Sequence, residues 1–291
     1  MSPSPALLEQ LSTARFVMTR AAPSVGIGER RSATKGVGLE FAEHRPYRPG
    51  DDVRHLDPRV MARLGESYIR QYFVDRQLPV FILLDGTRSM LAGSPQKFAI
   101  AAEIAQLAAF VGLAAGDRVR VGVSGDGGFR WSQPLQGGAR AQILFDWFAK
   151  LTPGGRSDFG QDIETALRDM GQAAYVVVVS DWWDERMQRA LDMLDGQGHE
   201  VVGIQVAAPE EIDPTALGNG SVLLVDEETG DEVETVIDEA VIADYRATLE
   251  TFKANLRQRL VSRGGRFFSL SSSADITRFF LRDLRAAGVL L

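Results

Sequence analysis

The chain has no cysteine in its 291 residues, which excludes disulfides, thiolate metal sites and cysteine nucleophiles together and is compatible with a reducing compartment. Histidine is almost as scarce, with only His44, His55 and His199 present. There is no basic excess either. A net charge of -7 and a pI near 5.2 argue against a general nucleic-acid binder, which normally carries a basic face. No window reaches the roughly 18 to 20 uninterrupted apolar residues of a spanning helix. The N-terminal MSPSPALLEQLSTARF lacks the apolar core of a secretory signal. The expectation is a soluble, cytoplasmic protein with no membrane span. Neither a Walker motif nor a Rossmann fingerprint fits, and the basic stretch GERRSATKG is read as a surface arm rather than a phosphate cradle.

What is present is ordinary globular material: 45% hydrophobic and 24% charged residues, enough for a sizeable core. The length suggests one large domain with an appendage or two domains. The expected division is 1–78, a helix, arm and strand packing on the main domain, and 79–291, the main domain itself, with a hairpin inserted near 221–236. Leu7, Leu8, Leu11, Phe16 and Val17 lie near helical spacing, so a short amphipathic helix is expected within 5–20. From Pro23 to Asp57, Gly, Pro and charge exclude a helix, and 67–74 reads as a strand.

From residue 79 the pattern alternates. FILL at 81–84, YVVVV at 175–179 and EVVGIQV at 200–206 are apolar runs of the kind buried in parallel sheets. RVRVGVS at 118–124 alternates, and RFFSLSS is a last strand. Helices are expected behind Ser89, over 139–151, 159–170 and 184–194, along the stripe Ile242, Tyr245, Leu249, Phe252, Leu256 and Leu260, and after a Ser273 cap. The implied fold is α/β, a doubly wound, mostly parallel sheet with helices on both faces.

Three loops at the carboxyl edge of that sheet carry oxygen ligands: Asp85, Thr87 and Ser89; then Ser157, beside Asp158; then Asp181. Carboxylates and hydroxyls suit a hard cation such as magnesium. The arrangement resembles the von Willebrand factor A domain and its metal-ion-dependent adhesion site, whose pattern is D-x-S-x-S, a threonine on a second loop and an aspartate on a third. Here Thr87 replaces the first serine and Ser157 the threonine, so every hydroxyl is kept. GLEFAEHRPYRPGDDVRHLDPRVMAR, 38–63, followed by QLPVFILLDGTRSM, resembles the bacterial family catalogued as domain of unknown function 58. The likeness extends to the D-E-E-T-G turn at 226–230. It implies a von Willebrand A-like domain that binds magnesium or manganese and takes an acidic residue of a partner. It further implies a MoxR-type AAA+ ATPase as that partner.

Two other readings stand beside this one. A magnesium-dependent phosphatase also places an aspartate after a buried strand, but it normally has a second acid two residues on, where this chain has Thr87. A metal-free structural scaffold is the third reading. Arg54, His55 and Asp57 are read as a structural cluster, since no nucleophile motif accompanies them. Of Trp182 and Trp183, one is expected in the core and the other at the rim.

Overall fold

The computed structural model describes residues 3–19, 31–36, 40–48, 51, 53–75, 78–171, 173–184, 186–217, 220–225 and 232–291. The chain divides into two compact units, Met1–Pro23 with Pro79–Leu291, and Ser24–Leu78. Helix α1, Pro5–Leu11, opens the first unit, with Ser4 accepting the Leu7 N–H and Pro5 in the first turn. It is shorter than the helix expected within 5–20. Ser12 folds its hydroxyl back onto the Glu9 carbonyl at 2.6 Å, and Phe16 leaves the helical path to bridge Leu290 and pack on the Tyr175 ring.

The smaller unit is an antiparallel sheet of β1 (Arg31–Gly36), β2 (Glu40–Pro46) and β3 (Tyr68–Asp75), ordered β1-β3-β2, with α2 (Pro58–Leu64) between β2 and β3. Strand β3 lies where one was expected. Strands β1 and β2 were not expected, because their polar sequences, one ending in Gly36 and the other in Pro46, have little strand propensity and pairing to β3 supplies the ladder instead. Asp57 caps α2 by accepting the Arg59 N–H at 2.9 Å, and its other oxygen lies 2.9 Å from His44 Nε2. Asp57 therefore ties His44 to the start of α2, whereas the sequence grouped it with Arg54 and His55.

The larger unit runs β4 (Pro79–Leu84), α3 (Lys97–Ala114), β5 (Arg118–Gly125), β6 (Gly128–Trp131), β7 (Leu135–Gln136), α4 (Ala141–Phe148), α5 (Phe159–Met170), β8 (Tyr175–Ser180), α6 (Met187–Gly196), β9 (Glu200–Ala207) and α7 (Pro209–Ile212). It continues through β10 (Gly220–Val225), β11 (Glu232–Ile237), α8 (Glu239–Val261), β12 (Arg266–Ser271), α9 (Ile276–Arg278) and, after a π turn, α10 (Leu284–Ala286). The central sheet is ordered β12-β9-β8-β4-β5-β6, parallel except that β6 and β7 run antiparallel to β5. This is the doubly wound, von Willebrand A-like architecture that the sequence implies. Strands β10 and β11 pair as the inserted hairpin from Gly220↔Ile237 to Val225↔Glu232, while the 226–230 turn lies outside the described residues.

Alternation along β4 explains both layers of core. Phe81 and Leu83 join Val176, Val178, Ile163, Leu191 and Leu256 beneath α5, α6 and α8. Val80, Ile82 and Leu84 are also buried, and α3 packs on β4, β5 and β8. Helix α3 is long and apolar enough to cross a membrane, yet two-thirds of it is buried in this unit. Helix α4 is shorter at both ends than the expected 139–151, and two other boundaries differ for a visible reason. Helix α6 begins at Met187 because the Asp184 carboxylate accepts the N–H groups of Gly160 and Arg186 instead of extending the helix. The last helical segment is capped by Asp275, which accepts the Arg278 N–H at 3.0 Å, while Ser273 pairs with Ser271.

Strand β4 lies at the sheet's centre, with β5 on one side and β8 on the other. The chain therefore reverses its direction of winding there. Open α/β sheets bind their ligands at the carboxyl end of such a switch point.

Candidate metal site

Asp85 is the first residue beyond β4, and its own N–H is held by the Val179 carbonyl at 2.9 Å. The side chain is 2% exposed. One carboxylate oxygen, Oδ1, accepts the Thr87 N–H at 2.9 Å and the Thr87 hydroxyl at 2.6 Å; Oδ2 accepts the Ser180 hydroxyl at 2.6 Å. Gly86 follows because nothing larger fits: a Cβ there would stand 2.4 Å from the Ser124 carbonyl oxygen. Its N–H is held by the Ser124 hydroxyl at 3.1 Å.

Thr87 Oγ1 and Ser89 Oγ lie 3.1 Å apart. Two oxygens in adjacent positions of an octahedral magnesium shell, each bonded at about 2.1 Å, stand about 3 Å apart, so the spacing suits joint ligation. The Thr87 proton is committed to Asp85, so Ser89 is the donor between the two hydroxyls, and a cation would take the Thr87 lone pair that the Ser89 proton now meets. Asp85 thus orients the hydroxyls more than it offers its own oxygens. Its carboxyl is pushed up to about 7, first by burial and then by the Asp181 charge, against the hydrogen bonds from Ser180 and Thr87. Two acids close together in a dry pocket are the situation that a divalent ion relieves.

Asp181, 4% exposed, stands at the carboxyl end of β8, with its carbonyl held by Gln205 Nε2 at 3.0 Å. Its Oδ2 accepts from Lys97 Nζ at 2.9 Å, and the same ammonium reaches Glu211 Oε1 at 2.7 Å. Lys97 is 1% exposed. Burial alone would lower its pKa, but the two carboxylates outweigh it and raise it. Neither Lys97 nor Glu211 was expected from sequence, where a lysine opening an apolar helix carries no sign that it is buried.

The Ser157 loop reaches the first through backbone: Thr87 bridges Gly155, the Arg88 N–H bonds the Gly155 carbonyl at 3.0 Å, and the Gly154 N–H bonds the Gly86 carbonyl at 2.8 Å. The Ser157 hydroxyl is buried without a hydrogen-bond partner among the described residues. It lies near enough to Asp162 to oppose the rise of that carboxyl, which burial, aided by Asp158 and Asp184, carries to about 6. Asp85, Thr87 and Ser89 therefore form one hydrogen-bonded cluster, Asp181 is in electrostatic reach of it, and Ser157 makes no hydrogen bond to the other four.

Among the described residues no group of three His, Asp or Glu side chains converges to hold a metal. A cation here must rest on hydroxyl oxygens. The paired Thr87 and Ser89 oxygens fit that requirement.

Trp182 is core and Trp183 is not. The Trp182 indole is 1% exposed, donates Nε1–H to the Ile204 carbonyl at 3.1 Å and meets Phe267 edge-on. Trp183 is 43% exposed and stacks on Phe252 with centroids 4.6 Å apart. Only Trp183 is therefore available for apolar contact at this edge.

An uncharacterised protein of Mycobacterium tuberculosis is 27% identical over 294 aligned positions, covering 97% of this chain and 92% of its own length. The crystal structure of the conserved hypothetical protein BatB from Bacteroides thetaiotaomicron is 17% identical, covering 72% of this chain and 98% of its own, with a TM-score of 0.44. The SpRpn10 VWA domain is 11% identical, covering 69% and 92%, with a TM-score of 0.41. The model of the protein family of unknown function DUF58 matches residues 43–255, and the chain belongs to that family.

Proposed function

We propose that this protein is a non-catalytic interaction module that holds a divalent cation, magnesium or manganese, at Asp85, Thr87, Ser89, Ser157 and Asp181 and takes a carboxylate of a partner protein there. The observation that carries the reading is the pair of hydroxyls 3.1 Å apart, oriented by a buried carboxylate at the switch point of the sheet. A bound ion supplies a positive centre with exchangeable positions, for which a partner aspartate or glutamate is a suitable ligand. Thr87 and Ser89 would hold it directly, Asp85 would fix the Thr87 proton away from it, and Asp181 would balance its charge. Trp183 and Phe252 offer the apolar contact that one ion pair lacks. The family resemblance makes a cytoplasmic MoxR-type AAA+ ATPase the partner to test.

Hydrolysis is disfavoured by the same geometry. An aspartate nucleophile needs a free oxygen, and both Asp85 oxygens accept hydrogen bonds from within the fold. One observation favours the metal-free scaffold instead: Lys97 already places a buried cation on Asp181. Calorimetric titration of magnesium and manganese into wild type and Asp85→Ala decides between them. The interaction reading expects weak binding that Asp85→Ala abolishes and Asp181→Ala reduces less. Identical heats from wild type and Asp85→Ala would leave the scaffold. Retention of the ATPase through chelator and through Asp85→Ala would remove the cation from recognition.

A further inference from the structure

A second concave site lies beside the first. Strand β6, the 156–158 loop and α5 enclose a cleft of about 610 Å³. Asp158, Asp162 and Asp169 line it against a single arginine, Arg156. Asp158 is already paired, its Oδ2 lying 2.9 Å from Arg186 Nε. Asp162 is not satisfied in this way. It is only 8% exposed, and its Oδ2 has no hydrogen-bond partner among the described residues. The Ser157 hydroxyl in the same wall interacts with this carboxylate and is the group that opposes its rise. A buried carboxylate with no ion pair among the described residues is costly, so a cation entering the cleft lowers a penalty that the fold already bears.

The shape and walls select the cation. No three carboxylates converge among the described residues, which disfavours a bare metal ion, and the volume accommodates a side chain with flanking backbone. Phe129 and Trp131 form an apolar wall with centroids 5.3 Å apart. Trp131 also carries the Arg120 guanidinium 4.5 Å from its ring centroid, so a planar cation already rests on this ring. A guanidinium presents several donors in one plane and sheds water more readily than an ammonium, which matches a buried carboxylate without an ion pair beside aromatic rings.

We propose that this cleft binds an arginine side chain of a partner protein, with Asp162 as its counter-ion and Phe129 and Trp131 as its walls. The proposal stands on the cleft's own residues and needs no divalent ion.

The test is a titration of acetyl-Gly-Arg-Gly-amide into the full chain in the presence of EDTA, followed by the Trp131 indole N–H resonance. The expected result is a saturable shift, at least tenfold weaker with the citrulline peptide and at least tenfold weaker in Asp162→Asn. Thermal melting checks that Asp162→Asn is folded. If it is not, Thr165→Trp, which fills the cleft from the exposed side of α5, decides in its place and is expected to abolish the shift. Equal affinity for the citrulline peptide, binding unchanged in folded Asp162→Asn, or binding retained in Thr165→Trp would each overturn the proposal. So would a Trp131 shift that appears with magnesium alone and not with the arginine peptide.

Discussion

Acidification should weaken this fold through His199, and the amount can be worked from the structure. The imidazole is 1% exposed, and its Nδ1 accepts the Ala174 N–H at 3.0 Å, so protonation would set two donors against each other. Burial lowers its pKa from 6.5 to about 4. Above pH 6.5 both folded and unfolded states are neutral and His199 contributes nothing to the pH dependence. Between 6.5 and about 4 the unfolded chain takes up a proton that the folded chain refuses, so stability falls as pH falls. At about 1.4 kcal/mol per pKa unit, the loss between pH 7.5 and 5.0 is about 2 kcal/mol, and it levels off near 3 below pH 4. Asp162 and Asp85 act in the opposite sense, because their raised pKa values make protonation favour the folded state. Urea unfolding of wild type and His199→Asn at both pH values separates the terms, since asparagine keeps an acceptor for Ala174 and the acids are common to both proteins. Wild type should lose about 2 kcal/mol more than the variant over that interval. Equal losses would refute the assignment of the penalty to His199.

Three further outcomes are expected. Thr87→Val, which keeps shape and removes the hydroxyl, should weaken manganese binding by about tenfold or more in calorimetry; unchanged affinity would exclude Thr87 as a ligand. Lys97→Met strands the Asp181 and Glu211 charges and should cost about 3 to 5 kcal/mol in urea unfolding, part of it restored by magnesium if the ion binds at Asp181. A loss below 1 kcal/mol would show the pair to be dispensable. Gly203→Ala places a Cβ 2.6 Å from Trp182 Cζ2 and should destabilise by about 1 to 3 kcal/mol, whereas an unshifted melting temperature would mean that the indole is free to move.

The elements legible in the sequence were those whose environment is uniform along their length. FILL and YVVVV read as buried strands because β4 and β8 are covered on both faces, and α8 showed its stripe because only Ile242, Leu249, Leu256 and Leu260 are buried along it. Strands β1 and β2 escaped because their order comes from pairing with β3 and not from their own residues. The Asp85-Gly86-Thr87-Arg88-Ser89 cluster was legible because its hydrogen bonds are local. Lys97 was not: its partners Asp181 and Glu211 lie 84 and 114 residues away, and only the crossover of the sheet brings them together. The orphaned Asp162 was hidden for a related reason, since its position on α5 is ordinary and its isolation depends on β6.

Trp182 has φ of +70°, a left-handed conformation that non-glycine residues seldom adopt, and its indole is locked between Gly203, Phe267 and the Ile204 carbonyl. The residue immediately before it is Asp181. That carboxylate is consequently set in a rigid mount, because displacing it means unseating a buried indole from its hydrogen bond. Its partner Lys97 reaches the pair on a flexible four-carbon stem and has a second carboxylate, Glu211, already in contact. A rearrangement at this edge would therefore cost less at the lysine, which keeps Glu211 when it leaves Asp181, than at the acid.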